Sequence, residues 1–171
     1  MSQKSKRPHT YIIAALSLDG QLGPLEATNS TQWTSGADTE FFKKKTKESG
    51  VIVMGRATFD TIGRALPDRK NVIYTRTVIE KDGIHITTET PEKLLQELGE
   101  QGFTEVAIIG GSSIYTQFLE AGCVDKLYLT IEPKLFGSGT PFLTKELSQD
   151  LTLISHTQLG DNSLLLEYII N

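Results

Sequence analysis

The chain has 171 residues, 38 % hydrophobic and 22 % charged, which suits one globular domain with a substantial core. Its formal net charge of −4, with no long basic stripe, points away from nucleic acid, and no apolar run is long enough to span a membrane. A single cysteine, Cys123, excludes an intrachain disulfide and a multi-cysteine zinc site, and His9, His85 and His156 are too scattered to suggest metal ligation.

Short β-branched runs alternate with helical segments along most of the sequence. A strand is expected at YIIAALS (11–17), then a helix over 37–47, opened by the polar stretch STQWTSGAD (30–38). VIVM (51–54) is the next strand, followed by a short helix over 57–62 and a strand at NVIYT (71–75). GIHI (83–86), a helix over 91–98, EVAII (105–109) and a helix over 112–120 continue the alternation. VDKLYLTI (124–131) comes next; LTLISHTQL (151–159) and SLLLEYII (163–170), joined through Gly160-Asp161-Asn162, read as a terminal antiparallel hairpin. Alternation of this kind predicts an α/β fold: a central mixed sheet of about eight mostly parallel strands, helices on both faces, and the C-terminal hairpin. One domain over 1–171 is expected, with 1–9 a flexible tail. No apolar signal core follows the basic N-terminus, so a cytoplasmic location is expected and Asn29-Ser30-Thr31, a glycosylation pattern, is read as silent.

Ligands of such sheets sit beyond the carboxyl ends of the strands. Three of those junctions carry suitable chemistry. In VIVMGRATFD (51–60), Gly55 and Arg56 stand at the mouth of a helix with Thr58 in its first turn, a setting that attracts phosphate. In NVIYTRT (71–77), Thr75 and Arg76 follow a strand; if the two strands are neighbours, Arg56 and Arg76 converge on one dianion. In EVAIIGGSSIY (105–115), Gly110-Gly111 leaves backbone bare to a ligand at a helix start, without the G-x-G-x-x-G fingerprint. GSGTPF (137–142) reads as a surface turn. Asp38, taken alone, is an acid in a helix's first turn, where the dipole favours it. Taken alone, the Arg56 junction is equally consistent with a tight turn and a solvent-facing Arg, and Arg76 reads as a solvated end-of-strand charge.

In order and spacing these motifs resemble dihydrofolate reductase from about Tyr11 to Phe142. The match is strongest over FFKKKTKESGVIVMGRATFDTIGRALPDRKNVIYTR (41–76) and IIGGSSIYTQFLEAGCVDKLYLTIE (108–132). The resemblance implies reduction of 7,8-dihydrofolate by NADPH, with hydride delivered to C6 and a proton to N5. It implies that Asp38, following Trp33, is the carboxylate that holds the pterin, with the Thr130 hydroxyl linked to it. Phe42, Ile62 and Leu66 match the apolar substrate clamp, and Ile109 and Tyr115 border the same pocket. Arg69 matches the arginine for the substrate's glutamyl carboxylate. Ala15, Leu22 and Gly23 match the nicotinamide side. Gly55, Arg56, Thr58, Thr75, Arg76, Gly110, Gly111, Ser112, Ser113 and Ile114 match the remainder of the NADPH path. A small-molecule substrate and a monomer are the partner and assembly implied.

The sequence departs from the family at the stretch around Asp38. Gln32 replaces the usual Pro before the Trp, Ser35-Gly36 replaces an apolar-Pro pair, and the loop from Gly23 to Trp33 is about three residues longer than in short bacterial members. Ser113 stands where some members carry Arg. SLDG (17–20), WTSGAD (33–38) and the Gly55, Thr58, Leu66, Arg69 spacing also resemble the pyrimidine reductase of riboflavin synthesis, which uses NADPH on the same fold. TIGRA (61–65) has the dihydrofolate reductase form instead. A third alternative is a non-catalytic NADPH- or pterin-binding protein.

Overall fold

The apolar runs become adjacent strands of one eight-stranded sheet in a computed structural model, which describes residues 7–25 and 30–171. The elements are β1 (His9–Ser17), β2 (Gln21–Gly23), α1 (Gly36–Ser49), β3 (Val51–Gly55), α2 (Arg56–Ile62), β4 (Lys70–Tyr74) and β5 (Ile84–Thr87). They continue with α3 (Pro91–Glu100), β6 (Glu105–Gly110), α4 (Ser112–Glu120), β7 (Lys126–Glu132), β8 (Thr140–Pro141), β9 (Leu151–Leu159) and β10 (Ser163–Ile170). The sheet order is β5-β4-β3-β6-β1-β7-β10-β9. Strands β5 through β7 run parallel, and β10 and β9 add antiparallel to the β7 edge.

Continuous apolar sequence such as Val51–Met54 is buried on both sides, as a covered parallel strand requires. One face of the sheet packs Leu94, Leu95 and Leu98 of α3 and Ile114, Tyr115 and Phe118 of α4 against Ile12, Val53 and Ile108. The other packs Phe41 and Phe42 of α1 and Phe59 of α2 against Tyr11, Ile52 and Ala107. Local signals set the helix ends. Thr90 caps α3 with Pro91 at its start, and α1 stops at Gly50, whose φ of 70° gives a left-handed cap.

Two features differ from the sequence reading. Segment 137–142 is not only a turn: Thr140–Pro141 pairs antiparallel with β2 as a second, two-stranded sheet. A Cβ at Gly139 would collide with the Gly23 carbonyl oxygen, so glycine is what permits the approach. In the expected tail, residues 1–6 lie outside the described residues, as does Asn29. Arg7, by contrast, is bonded to both carboxylate oxygens of Asp125, at 3.0 and 2.6 Å, and His9 begins β1. Among the described residues no helix is long and apolar enough to cross a membrane, and no group of acids, histidines and cysteine is placed to hold a metal.

Candidate active site

Strand parity decides which side chains can meet. Tyr11 and Ile13 face α1 and α2, so Ala15 and Ser17 do too; on β7 the same face carries Tyr128, Thr130 and Glu132. Ala15 lies beside Thr130 in register, and Ser17 beside Glu132. The start of α1 lies over this end of the sheet.

Ser35 caps α1, its hydroxyl accepting from the Asp38 N–H at 3.2 Å, and this places Asp38 in the first turn. The buried Thr130 hydroxyl lies close enough to the Asp38 carboxylate to favour its ionised form. Burial is the main cause that pushes the Asp38 carboxyl up, to about 6; the Thr130 hydroxyl opposes it and the negative charge of Glu132 adds to it. An acid so placed holds or releases a proton near neutral pH.

The structure also brings in a group that the sequence reading passed over. Glu132 is 2 % exposed and accepts from Ser35 N–H and Oγ at 2.8 and 2.9 Å and from Ser163 Oγ at 2.5 Å. The signal that would have found it is strand parity, since Glu132 lies two residues after Thr130 on the same face.

The three residues expected to form an apolar clamp lie together on the α1 side. Phe42, Ile62 and Leu66 pack against the cluster that contains Met54, Phe59 and Ile109. Arg69 Nη1 donates to Thr46 Oγ1 at 2.7 Å and its Nε to the Pro67 carbonyl at 2.9 Å, so its guanidinium is preset. Asn71, 1 % exposed, holds the 66–71 loop shut by accepting from Leu66 N–H and donating to the carbonyls of Leu66 and Arg69. Asn71→Ala strips three bonds made by a buried side chain and is expected to destabilise the fold by about 3 kcal/mol. Denaturant melts check this; a loss under about 1 kcal/mol would mean that the loop is held elsewhere.

Strands β3 and β4 are parallel neighbours with Gly55 opposite Tyr74, so the two basic junctions do lie side by side. Arg56 directly follows Gly55, with its Nε on both Asp60 oxygens at 2.8 and 2.9 Å. Thr75 and the exposed Arg76 follow Tyr74, and Thr75 Oγ1 accepts from the Thr77 N–H. Asp60, one helical turn beyond Arg56, is a counter-charge the sequence reading did not weigh.

The Gly110–Gly111 peptide is cis, and Gly110 has φ of 132°. A Cβ at Gly110 would lie 3.3 Å from Thr58 Oγ1 and 3.4 Å from Tyr115 Oη, and one at Gly111 3.4 Å from Thr58 Oγ1. This bare backbone leads into α4, whose first turn has no side-chain cap. Ser112 Oγ donates to the Pro141 carbonyl at 2.5 Å, tying α4 to β8; Ser113 is exposed, and Ile114 is buried against Gly55. Tyr115 is buried with its hydroxyl on the Ile13 carbonyl at 3.0 Å, and burial pushes its phenol up. Leu22 packs on the α4-side core, and Gly23 pairs with Thr140. Trp33 stacks edge-on against Phe136 with centroids 5.2 Å apart, and its buried Nε1 has no partner among the described residues. The uncovered Gly-Gly backbone, the open first turn of α4 and the paired basic junctions fit an extended, phosphate-bearing dinucleotide.

A separate cleft of about 660 Å³ opens at the other end of the sheet, lined by Arg7, His9, Phe103, Thr104 and Asp125. It contains none of the residues above.

The sequence profile of a family described as dihydrofolate reductase matches residues 10–162. The chain is 35 % identical over 127 residues to a dihydrofolate reductase of Haemophilus influenzae, covering 74 % of each. It is 32 % identical over 163 residues to dihydrofolate reductase type 3 of Salmonella typhimurium, covering 92 % of this chain and 94 % of that one. Among solved structures, a putative riboflavin biosynthesis protein from a Shewanella species superposes with TM-score 0.81 at 20 % identity, covering 95 % of this chain and 99 % of the other. Acinetobacter baumannii RibD gives 0.82 at 20 % identity, covering 96 % of this chain and 58 % of the other. At such identities the structural likeness speaks to fold alone.

Proposed function

Because the chain belongs to the dihydrofolate reductase family, a family of NADPH-dependent oxidoreductases, we propose that it reduces 7,8-dihydrofolate to 5,6,7,8-tetrahydrofolate with NADPH. The observation that carries this reading is Asp38: an acid in the first turn of α1, pushed up to about 6 by burial, with the Thr130 hydroxyl of β7 favouring its ionised form. A carboxylate accepts well from the paired donors of a pterin's 2-amino and N3 edge. With a pKa near neutrality it favours a protonated substrate at N5.

Phe42, Ile62 and Leu66 would exclude water along the substrate, and Arg69 would take its terminal carboxylate. Arg56, Thr58, Thr75 and Arg76 would hold the phosphate-bearing half of the cofactor. Gly110-Gly111 with Ser112, Ser113 and Ile114 would pass its centre, and Ala15, Leu22 and Gly23 would border the ring. Bound NADPH would supply the hydride, to C6 of the pterin. The single Cys123 is buried as a free thiol, which suits the reducing cytoplasm, and a monomer is the assembly to test by mass in solution.

WTSGAD (33–38) also favours a second reading, reduction of the ribosylamino-pyrimidinone of riboflavin synthesis. Purified protein should oxidise NADPH when given dihydrofolate and remain inactive with the pyrimidine. The reverse result replaces the first reading with the second. NADPH binding with turnover of neither points to a binding protein.

A further inference from the structure

We propose that Glu132 is a positioning residue for Asp38, gripping the start of α1 through Ser35 and holding a fixed negative charge beside the acid. The inference rests on the reading of Asp38 as the substrate-facing acid, and it adds a residue that reading does not require.

Geometry carries it. Ser35 is at once the cap of the helix that bears Asp38 and a double donor to Glu132. Ser163, 3 % exposed at the start of β10, donates to the other oxygen of Glu132 and lies 3.3 Å from Ser35 Oγ. The β9–β10 turn packs on the same helix start, where a Cβ at Gly160 would sit 3.4 Å from Ala37 Cβ. One carboxylate therefore joins the end of β7, the start of α1 and the hairpin. Three donors converge on it, the pattern that suits an ionised acid.

The groups around the two acids can be named element by element. Thr130 on β7 favours the ionised form of Asp38, and Tyr115 on α4 senses the Asp38 charge as a neutral phenol. Ser17 on β1 lies beside Glu132 in register, with its hydroxyl on Asp19 at 2.6 Å. Ser163 on β10 and Ser35 complete the shell. Among the described residues the charge that acts on Asp38 is that of Glu132, and it opposes ionisation.

The test is a carboxyl-carbon NMR titration of the free protein, paired with the pH profile of turnover. Glu132→Gln removes the charge at nearly constant shape and should lower the Asp38 midpoint by about half to one pH unit, with the profile moving the same way. Glu132→Asp keeps a charge but withdraws it by one methylene, so a smaller fall is expected. An unmoved midpoint in a folded Gln variant, or in the Asp variant if Gln does not fold, overturns the proposal. Because the titration needs no substrate, failure to turn over dihydrofolate would sink the functional reading and still leave Glu132 decided.

Discussion

Asp38→Asn should lower turnover at neutral pH by about a hundredfold or more, while making the free protein more stable. The two effects share one cause. The fold holds the Asp38 carboxyl at about 6 against an ordinary value of 3.8, so ionisation is disfavoured in the native state. For an acid raised in this way, the stability is fully present below the unfolded value and is lost as pH rises through about 6. Two units correspond to a penalty of at most about 3 kcal/mol at pH 7 to 8, which Asn escapes because it cannot ionise. A gain of several degrees in melting temperature at about pH 7.5, shrinking to nothing near pH 4, is the expected pattern. Wild-type turnover in the variant would reduce Asp38 to a helix acid. A stability gain independent of pH would mean that its burial is not the source.

This pairing of lost rate with gained stability is expected where a site holds a group in an environment it would not choose. The proposed use of Asp38 would demand a proton near neutrality, and burial would supply it at the expense of native stability.

The parts of this arrangement that were legible in the sequence are those with a period or a punctuation mark. Continuous runs such as Val51–Met54 announced buried strands, and Pro91 opened the expected helix where α3 begins. Helix α1 runs Gly36–Ser49 where the pattern gave 37–47, because capping by Ser35 and the left-handed Gly50 set its ends, not its hydrophobic periodicity. The β2–β8 pair escaped notice because strands of three and two residues are too short to show alternation. Its decisive residue, Gly139, matters through a carbonyl more than a hundred positions away.

The site divides in the same way. Asp38, Thr130 and Arg69 were singled out through motif order, and the structure brings Asp38 near Thr130 and Arg69 onto Thr46 of α1. Glu132 was passed over because an acid at the end of a strand looks solvated until its neighbours are known. Ser35 was noted only as a departure, yet it links Glu132 to Asp38. Asp60 shows the opposite case. Its spacing of four from Arg56 was visible, but only the structure shows both its oxygens on the guanidinium Nε.

The Gly-Gly turn yields the other large effect. Gly110→Ala is expected to destabilise the protein by about 2 to 3 kcal/mol and to weaken NADPH binding at least tenfold. At φ of 132° an alanine is strained whatever room it has, and here it has little, with Thr58 Oγ1 and Tyr115 Oη at 3.3 and 3.4 Å from the new carbon. Either neighbour can yield only by moving something else. Tyr115 is fully packed and its hydroxyl holds the Ile13 carbonyl, two residues before Ala15 on the central strand. Thr58 lies in the first turn of α2, next to Arg56 and against both glycines. A methyl at Gly110 thus displaces two elements that border the proposed cofactor path, one carrying a phosphate-side residue and one supporting the strand beside Asp38. Melts and NADPH fluorescence titration separate the outcomes. Lost stability with unchanged affinity would remove the Gly-Gly backbone from the cofactor path, whereas weaker binding in a folded variant is the result the geometry requires.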